Sequence, residues 1–299
     1  MKKSSLLKRI FTLLLAVLIA VTFVPGEAQA AKKKTGWVTK KGYKYYYDED
    51  GKLSTGFVEI KGSTYYFAPK KITTDITGSK ETIVPKGAML KGWYKIKKKY
   101  YYFDRSNGKM AKNKKVDAIK LTKTGAAKST SYNKKKINIM ILARERMMVL
   151  TSATDKKEAK LKKCFAWCKK TPYIGYHFLK NERDKKGWDL IFAADVLDPK
   201  AHTTSGGECT AMAASFAYLA HECGYKEVYI VDDDRSLKGD NHSWVDINNR
   251  IYDPLFARTS GKGGDAANYA GKYKSTDYGH VKINMLEISS GKKLCIDRK

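Results

Sequence analysis

The N-terminal half of this chain contains no cysteine. All five, Cys164, Cys168, Cys209, Cys223 and Cys295, lie in the C-terminal half, which excludes a disulfide framework spread over the whole protein. An odd number in an exported chain leaves at least one thiol unpaired or paired between molecules. Acidic residues are also scarce, 30 against 59 Lys and Arg, for a formal net charge of +29. No run beyond Val24 is apolar enough to cross a membrane. Histidines number five, and His177, His202, His221 and His280 show no ligand spacing with carboxylates or thiols. No metal and no cofactor are therefore expected.

What is present begins with a leader. Lys2, Lys3, Lys8 and Arg9 precede an uncharged apolar run, Ile10 to Val24, and Ala28-Gln29-Ala30 is a small-x-small cleavage signal. Residues 1–30 read as a secretory signal peptide cut after Ala30. Its removal takes away four positive charges and Glu27, a net +3, and leaves +26. The expected product is secreted, cell-wall associated and not transmembrane. An exported chain rarely meets nucleic acid, so its lysine excess points to anionic wall polymers or membrane surfaces and not to a nucleic-acid partner.

Residues 34–114 repeat themselves. Thr35-Gly36-Trp37-Val38 is echoed by Thr55-Gly56-Phe57-Val58 and by Lys91-Gly92-Trp93-Tyr94. Nine residues after each aromatic stands a tyrosine in an aromatic cluster: Tyr46, Tyr66 and Tyr102. Units of about twenty residues with aromatic strands and glycine turns predict a stacked β-hairpin array, since one hairpin cannot bury its aromatic face alone. The pattern resembles the wall-binding repeats of the choline-binding and glucan-binding families. That resemblance implies a cell-wall glycan or wall polymer as ligand, held by Trp37, Tyr46, Phe57, Tyr66, Trp93 and Tyr102. A choline cage would act by cation–π attraction. The second unit departs from the pattern at Phe57 and Ala68, and an insertion around Thr73 to Pro85 displaces the third.

Residues 115–136, rich in Lys, Thr, Ser and Ala, read as a linker, with a decayed half-repeat as the alternative within it. From residue 137 to 299 the pattern changes. Ile137 to Leu150 and Lys156 to Lys170 are predicted helices, the second with Leu161, Cys164, Phe165 and Cys168 on one apolar face. Ser205-Gly206-Gly207-Glu208-Cys209 then opens a helical run, Thr210 to Glu222. Cys209 at a helix N-terminus meets the positive end of the macrodipole, which favours a thiolate. Free N–H groups there suit half an oxyanion hole.

Asn241 to Ile247 alternates like a strand, Asn248-Asn249 is a two-residue turn, and Arg250 to Pro254 is the return strand. If Ile247 faces Arg250, Trp244 faces Asp253. His242 then lies diagonally from Asp253 on the same face. These motifs, Gly207-Glu208-Cys209, His242-Ser243-Trp244 and Tyr252-Asp253-Pro254, resemble the transglutaminase-like superfamily. The resemblance implies an α+β, papain-like domain whose nucleophile helix packs on an antiparallel sheet. Cys209 would be nucleophile, His242 base and Asp253 its orienting acid. It also implies a polar or aromatic oxyanion partner, for which Trp188, Tyr173 and Tyr176 are candidates. The expected activity is cleavage or exchange of peptide or isopeptide amide bonds in a peptide or protein substrate, through a thioester, with hydrolysis preferred. The alternative is a non-catalytic wall- or glycan-binding structural protein with an idle transglutaminase-like domain.

Overall fold

Two residues in the left-handed region fix the tips of the first hairpins. Lys41-Gly42 and Lys61-Gly62 all have φ between +49° and +78°, the type I′ geometry whose twist matches the flanking strands. The computed structural model describes residues 33–233, 242–259, 262–273 and 280–295; the leader expected at 1–30 lies outside them. Strand β1 (Gly36–Lys40) pairs with β2 (Tyr43–Tyr47), and β3 (Gly56–Ile60) with β4 (Ser63–Phe67). The insertion folds as a small hairpin of β5 (Ile72–Thr74) and β6 (Glu81–Val84), followed by β7 (Gly92–Ile96) paired with β8 (Lys99–Phe103). The nine-residue interval in the sequence is a cross-strand pair: Trp37 opposes Tyr46, Phe57 opposes Tyr66 and Trp93 opposes Tyr102. Backbone bonds from Met89 to Lys44 (2.8 Å) and from Met110 to Thr64 (2.7 Å) stitch each unit to the one before it.

The segment read as a linker is ordered. Strand β9 (Lys115–Val116) pairs with β10 (Ile119–Lys120), and Tyr101 bridges to Ala126. Ile119 and Leu121 are buried, joining the core of the C-terminal half. Its apolar residues are what a solvated linker would not bury, and its last residues, 131–136, open the first helix. The first helix, α1 (Ser131–Leu150), starts earlier than its apolar pattern suggests, because Thr130 caps it by accepting a hydrogen bond from the Asn133 N–H at 3.1 Å.

Beyond α1 come α2 (Lys157–Cys168), α3 (Leu179–Glu182), α4 (Trp188–Leu197) and α5 (Cys209–Glu222). Strands β11 (Val228–Asp232), β12 (Ser243–Ile247), β13 (Ile251–Tyr252), β14 (Tyr269–Gly271), β15 (Asn284–Glu287) and β16 (Lys293–Cys295) form one antiparallel sheet in the order β14-β13-β12-β11-β15-β16. Two short helices, α6 (Pro254–Arg258) and α7 (Gly264–Asn268), connect β13 to β14. Every residue of α5 is buried, since it lies between β11 and β12 on one side and α1, α2 and α4 on the other. The architecture is mixed α and β, with a hairpin array ahead of a helix-on-sheet unit. No described helix is long and apolar enough to cross a membrane.

The array is not tethered loosely. Trp93, Tyr100 and Tyr102 share one apolar cluster with α1, α4 and α5. The Trp93 indole N–H donates to Asp117 (2.7 Å), His221 pairs with the other Asp117 oxygen (2.8 Å), and Arg105 pairs with Glu222 (2.5 Å). The Arg144 guanidinium donates to the Trp93 carbonyl.

Candidate active site and aromatic corners

Cys209 is the first residue of α5, and Glu208 caps the helix. One Glu208 oxygen accepts from the Thr210 N–H (3.1 Å), and the other accepts from the Cys209 thiol (2.9 Å). The two preceding glycines serve close packing. A Cβ on Gly206 would meet Ile174 at 2.7 Å and the Pro172 carbonyl at 2.9 Å; one on Gly207 would meet Ala211 at 2.2 Å. The loop is stitched by Gly207 N–H to Pro172 O (3.0 Å) and Ile174 N–H to Gly207 O (3.3 Å). Cys209 is buried. Burial, then the charge of Glu208 and its hydrogen bond, push the thiol well above its ordinary range. The Ser243 N–H and the Thr210 hydroxyl pull the other way and are outweighed. The helix dipole alone predicts a lowered pKa; an adjacent buried carboxylate reverses that expectation, and the resting group is a thiol.

Turn residues Asn248 and Asn249 both have positive φ, +53° and +58°, and Ile247 and Arg250 exchange both backbone bonds at 3.1 Å. This register puts Val245 opposite Tyr252 and so brings Trp244 level with Asp253. His242 Nε2 lies 2.5 Å from Asp253 Oδ2. Phe256 stacks on the imidazole, centroids 3.8 Å apart and planes 8° apart. The His242 backbone N–H donates to Asp233 (2.7 Å). Asp253 is fully buried and caps α6, accepting from the Phe256 N–H (2.9 Å). Burial would raise its carboxyl; hydrogen bonds from His242 and His280 outweigh that and hold it at about 2. The Thr210 and Ser243 hydroxyls lie 3.0 Å apart. They join the first turn of α5 to the strand that His242 precedes, with the Ser243 N–H turned to the sulphur.

His280 is a participant that sequence reasoning passed over. Its Nε2 lies 2.9 Å from Asp253 Oδ2, and its ring packs edge-on against Trp244 at 5.0 Å. The residue stands 27 positions from Asp253, and only the packing of the 280–295 segment brings it in. Among the oxyanion candidates, Tyr173 is exposed and close enough to Cys209 and Glu208 for their charges to raise its phenol, after the larger effect of burial. Tyr176 instead donates to the Thr204 carbonyl (2.8 Å) and stacks on His202. Trp188 is buried against Phe192. Two sets of metal-type side chains converge: His242, Asp253 and His280, and separately His177, Asp195 and His202. Local spacing hid both, because each set is assembled from distant segments.

On the array, the aromatics form corners between neighbouring hairpins. The Trp37 ring lies 5.2 Å from both Tyr46 and Tyr65, edge-on to each. Phe57 lies 4.7 Å from Tyr66 and 5.3 Å from Tyr101. Trp37 and Phe57 are 44% and 46% exposed, whereas Trp93 is 1% and Tyr102 8% exposed. Trp93 and Tyr102 are therefore not open to a ligand as expected: the β9–β10 hairpin and the C-terminal half cover them. Tyr65 and Tyr101, each one residue before the cross-strand partner or its equivalent, supply the third ring and were legible only as members of their clusters.

Comparison with known proteins finds the array. Residues 85–114 match the family model described as choline-binding repeat, and residues 35–53 and 55–70 match that described as putative cell wall binding repeat. Among solved structures, the choline-binding domain of Spr1274 from Streptococcus pneumoniae is 27% identical over 33% of this chain and 99% of that one, with a TM-score of 0.26. The choline-binding domain of CbpL from the same organism is 27% identical over 32% of this chain and 43% of that one (TM-score 0.22). Its modular autolysin LytC is 19% identical over 31% and 28% (TM-score 0.15). The search of curated proteins gave no match. Residues 35–53, 55–70 and 85–114 thus carry cell-wall-binding repeats of the choline-binding type.

Proposed function

We propose that this chain is a secreted, cell-wall-held cysteine enzyme of the transglutaminase-like type. It cleaves or exchanges peptide or isopeptide amide bonds through a thioester on Cys209. The observation that carries the reading is the hydrogen bond between His242 and the buried Asp253, with His242 next in sequence to Ser243, whose N–H meets the sulphur of Cys209 at the start of a helix. With Nε2 engaged by Asp253, the His242 Nδ1 is the nitrogen left to serve the thiol. Asp253 fixes that tautomer and steadies the imidazolium. Nδ1 takes the thiol proton as the sulphur attacks the carbonyl carbon, and the Cys209 N–H and the Tyr173 hydroxyl steady the oxyanion. Collapse breaks the C–N bond, with the His242 proton passing to the leaving amine. Water then attacks the thioester, giving its proton to His242, which returns it to the departing sulphur. An amine in place of water gives transamidation; hydrolysis is preferred because water is abundant.

The array supplies location. The two corners around Trp37 and Phe57 are open aromatic faces of the kind that attract a quaternary ammonium such as choline on wall polymers. Holding the enzyme there raises its local concentration of substrate.

Iodoacetamide labelling tests the enzyme reading. His242→Ala is expected to slow alkylation of Cys209 while the exposed Cys295 keeps its rate. Equal rates at Cys209 in both chains would sink the proposal. A second reading, a wall-binding structural protein with an idle transglutaminase-like domain, is favoured by one observation: the thiol is bound to Glu208 and held protonated.

A further inference from the structure

Asp195 is an unusual residue for its place. It lies on α4 among Phe192, Ala193, Val196 and Leu197, all buried, and is itself 2% exposed. Among the described residues no lysine or arginine pairs with it; its side-chain partners there are two imidazoles from two different loops. His177 Nδ1 lies 2.9 Å from Oδ2 and 3.1 Å from Oδ1, and His202 Nε2 lies 2.7 Å from Oδ1. Each ring thus has its shorter contact with a different carboxylate oxygen, while His177 also reaches the oxygen that His202 meets. The three ligand-type groups all lie within 4.8 Å of one another.

We propose that His177, Asp195 and His202 form a binding site for a divalent ion of the zinc class. Two imidazoles and a carboxylate are a zinc-type ligand set that leaves a fourth position open. Four-coordinate zinc, with bonds of about 2.0–2.1 Å, sets its ligand atoms roughly 3.3 Å apart. The imidazole-to-carboxylate separations of 2.7 to 3.1 Å reach that by shifts of a few tenths of an ångström, and the two imidazole nitrogens lie within 4.8 Å of each other. The site is also pre-formed. Tyr176 stacks on the His202 ring at 3.6 Å with 8° between planes, and Phe192 meets the His177 ring edge-on at 6.1 Å. The Gly206 N–H bonds the Asp195 carbonyl (3.1 Å), and the Tyr176 hydroxyl bonds the Thr204 carbonyl (2.8 Å). The rings remain partly open to solvent, with side chains 33% and 22% exposed, so an ion has a way in. Bound there, it would clamp the 172–177 and 198–207 segments to α4, and with them the Gly206-Gly207 approach to Cys209. The inference stands independently of whether Cys209 is catalytic.

The test uses the full chain stripped with a chelator. Histidines are modified with diethylpyrocarbonate, with and without zinc chloride, and mapped by mass spectrometry. At zinc about ten times its dissociation constant, mass action lowers labelling of His177 and His202 about tenfold. Cobalt chloride should give the visible absorption of a four-coordinate site, and a folded Asp195→Asn chain should lose both signals. Equal labelling of His177 and His202 with and without zinc overturns the proposal, in the wild-type chain alone. Protection that survives in folded Asp195→Asn overturns the three-ligand site.

Discussion

Trp37 and Trp93 occupy the same position of the same repeat, each opposite a tyrosine across a hairpin, yet one is 44% exposed and the other 1%. Trp37 is met by a tyrosine of the next hairpin and leaves an open corner. Trp93 is met by Asp117 of the β9–β10 turn and by Arg144 of α1 and becomes part of the core of the C-terminal half. The unit's sequence fixes which ring sits where on the hairpin; what stacks next decides whether that ring is a binding surface or a joint. The first two repeats therefore face outward, and the third belongs physically to the C-terminal half.

The strongest way to break this contrast is truncation of each tryptophan. Trp93→Ala should cost about 3–5 kcal/mol, as buried large aromatics do. It should lower the melting temperature of the whole chain, read by calorimetry. Trp37→Ala should leave that melting temperature nearly unchanged. Similar losses from both would refute the distinction.

Acid unfolding sharpens it. The Asp253 carboxyl is held at about 2 against an ordinary 3.8. A group depressed in the folded chain contributes stability that is full above its ordinary value and lost as pH falls toward about 2. The shift is worth about 2 kcal/mol, and Asp253→Asn should remove that slope from a denaturant series between these pH values. Hydrogen exchange should show β7, β8 and α5 opening together as the pH drops, with β1 and β2 separate from them.

A chemical probe separates the two regions differently. Glu208→Gln removes the charge and the acceptor that help hold Cys209 as a thiol and should speed its alkylation at pH 7. Retention on wall material should not change. The smallest effect belongs to the corners: Trp37→Ala should weaken choline binding by roughly 1 kcal/mol, about fivefold, measured by equilibrium dialysis. Cys209 alkylation should stay as it was.

Much of this was legible in the residues, for a physical reason. The nine-residue interval from Trp37 to Tyr46 is a hairpin pair, and the Asn248-Asn249 turn fixes a register that counting reproduces from Ile247 to Asp253. Cys209 after Gly206-Gly207 marks a helix start by local chemistry. What was hidden depends on distant contacts. Nothing near Trp93 announces that Asp117 and α1 will cover it. His280, and the meeting of His177 and His202 on Asp195, join segments that the sequence leaves far apart. The Cys209 thiol was misjudged because the helix dipole was weighed without the burial and the neighbouring Glu208 carboxylate that oppose it.

The central claim is that Cys209 forms a thioester with help from His242. Its most direct measurement is mass spectrometry of the full chain after exposure to a wall and secreted-protein extract. The prediction is an acyl adduct on Cys209 that neutral hydroxylamine releases, absent in His242→Ala. An unmodified Cys209 in the wild-type chain, or the same adduct at the same level in His242→Ala, would contradict it.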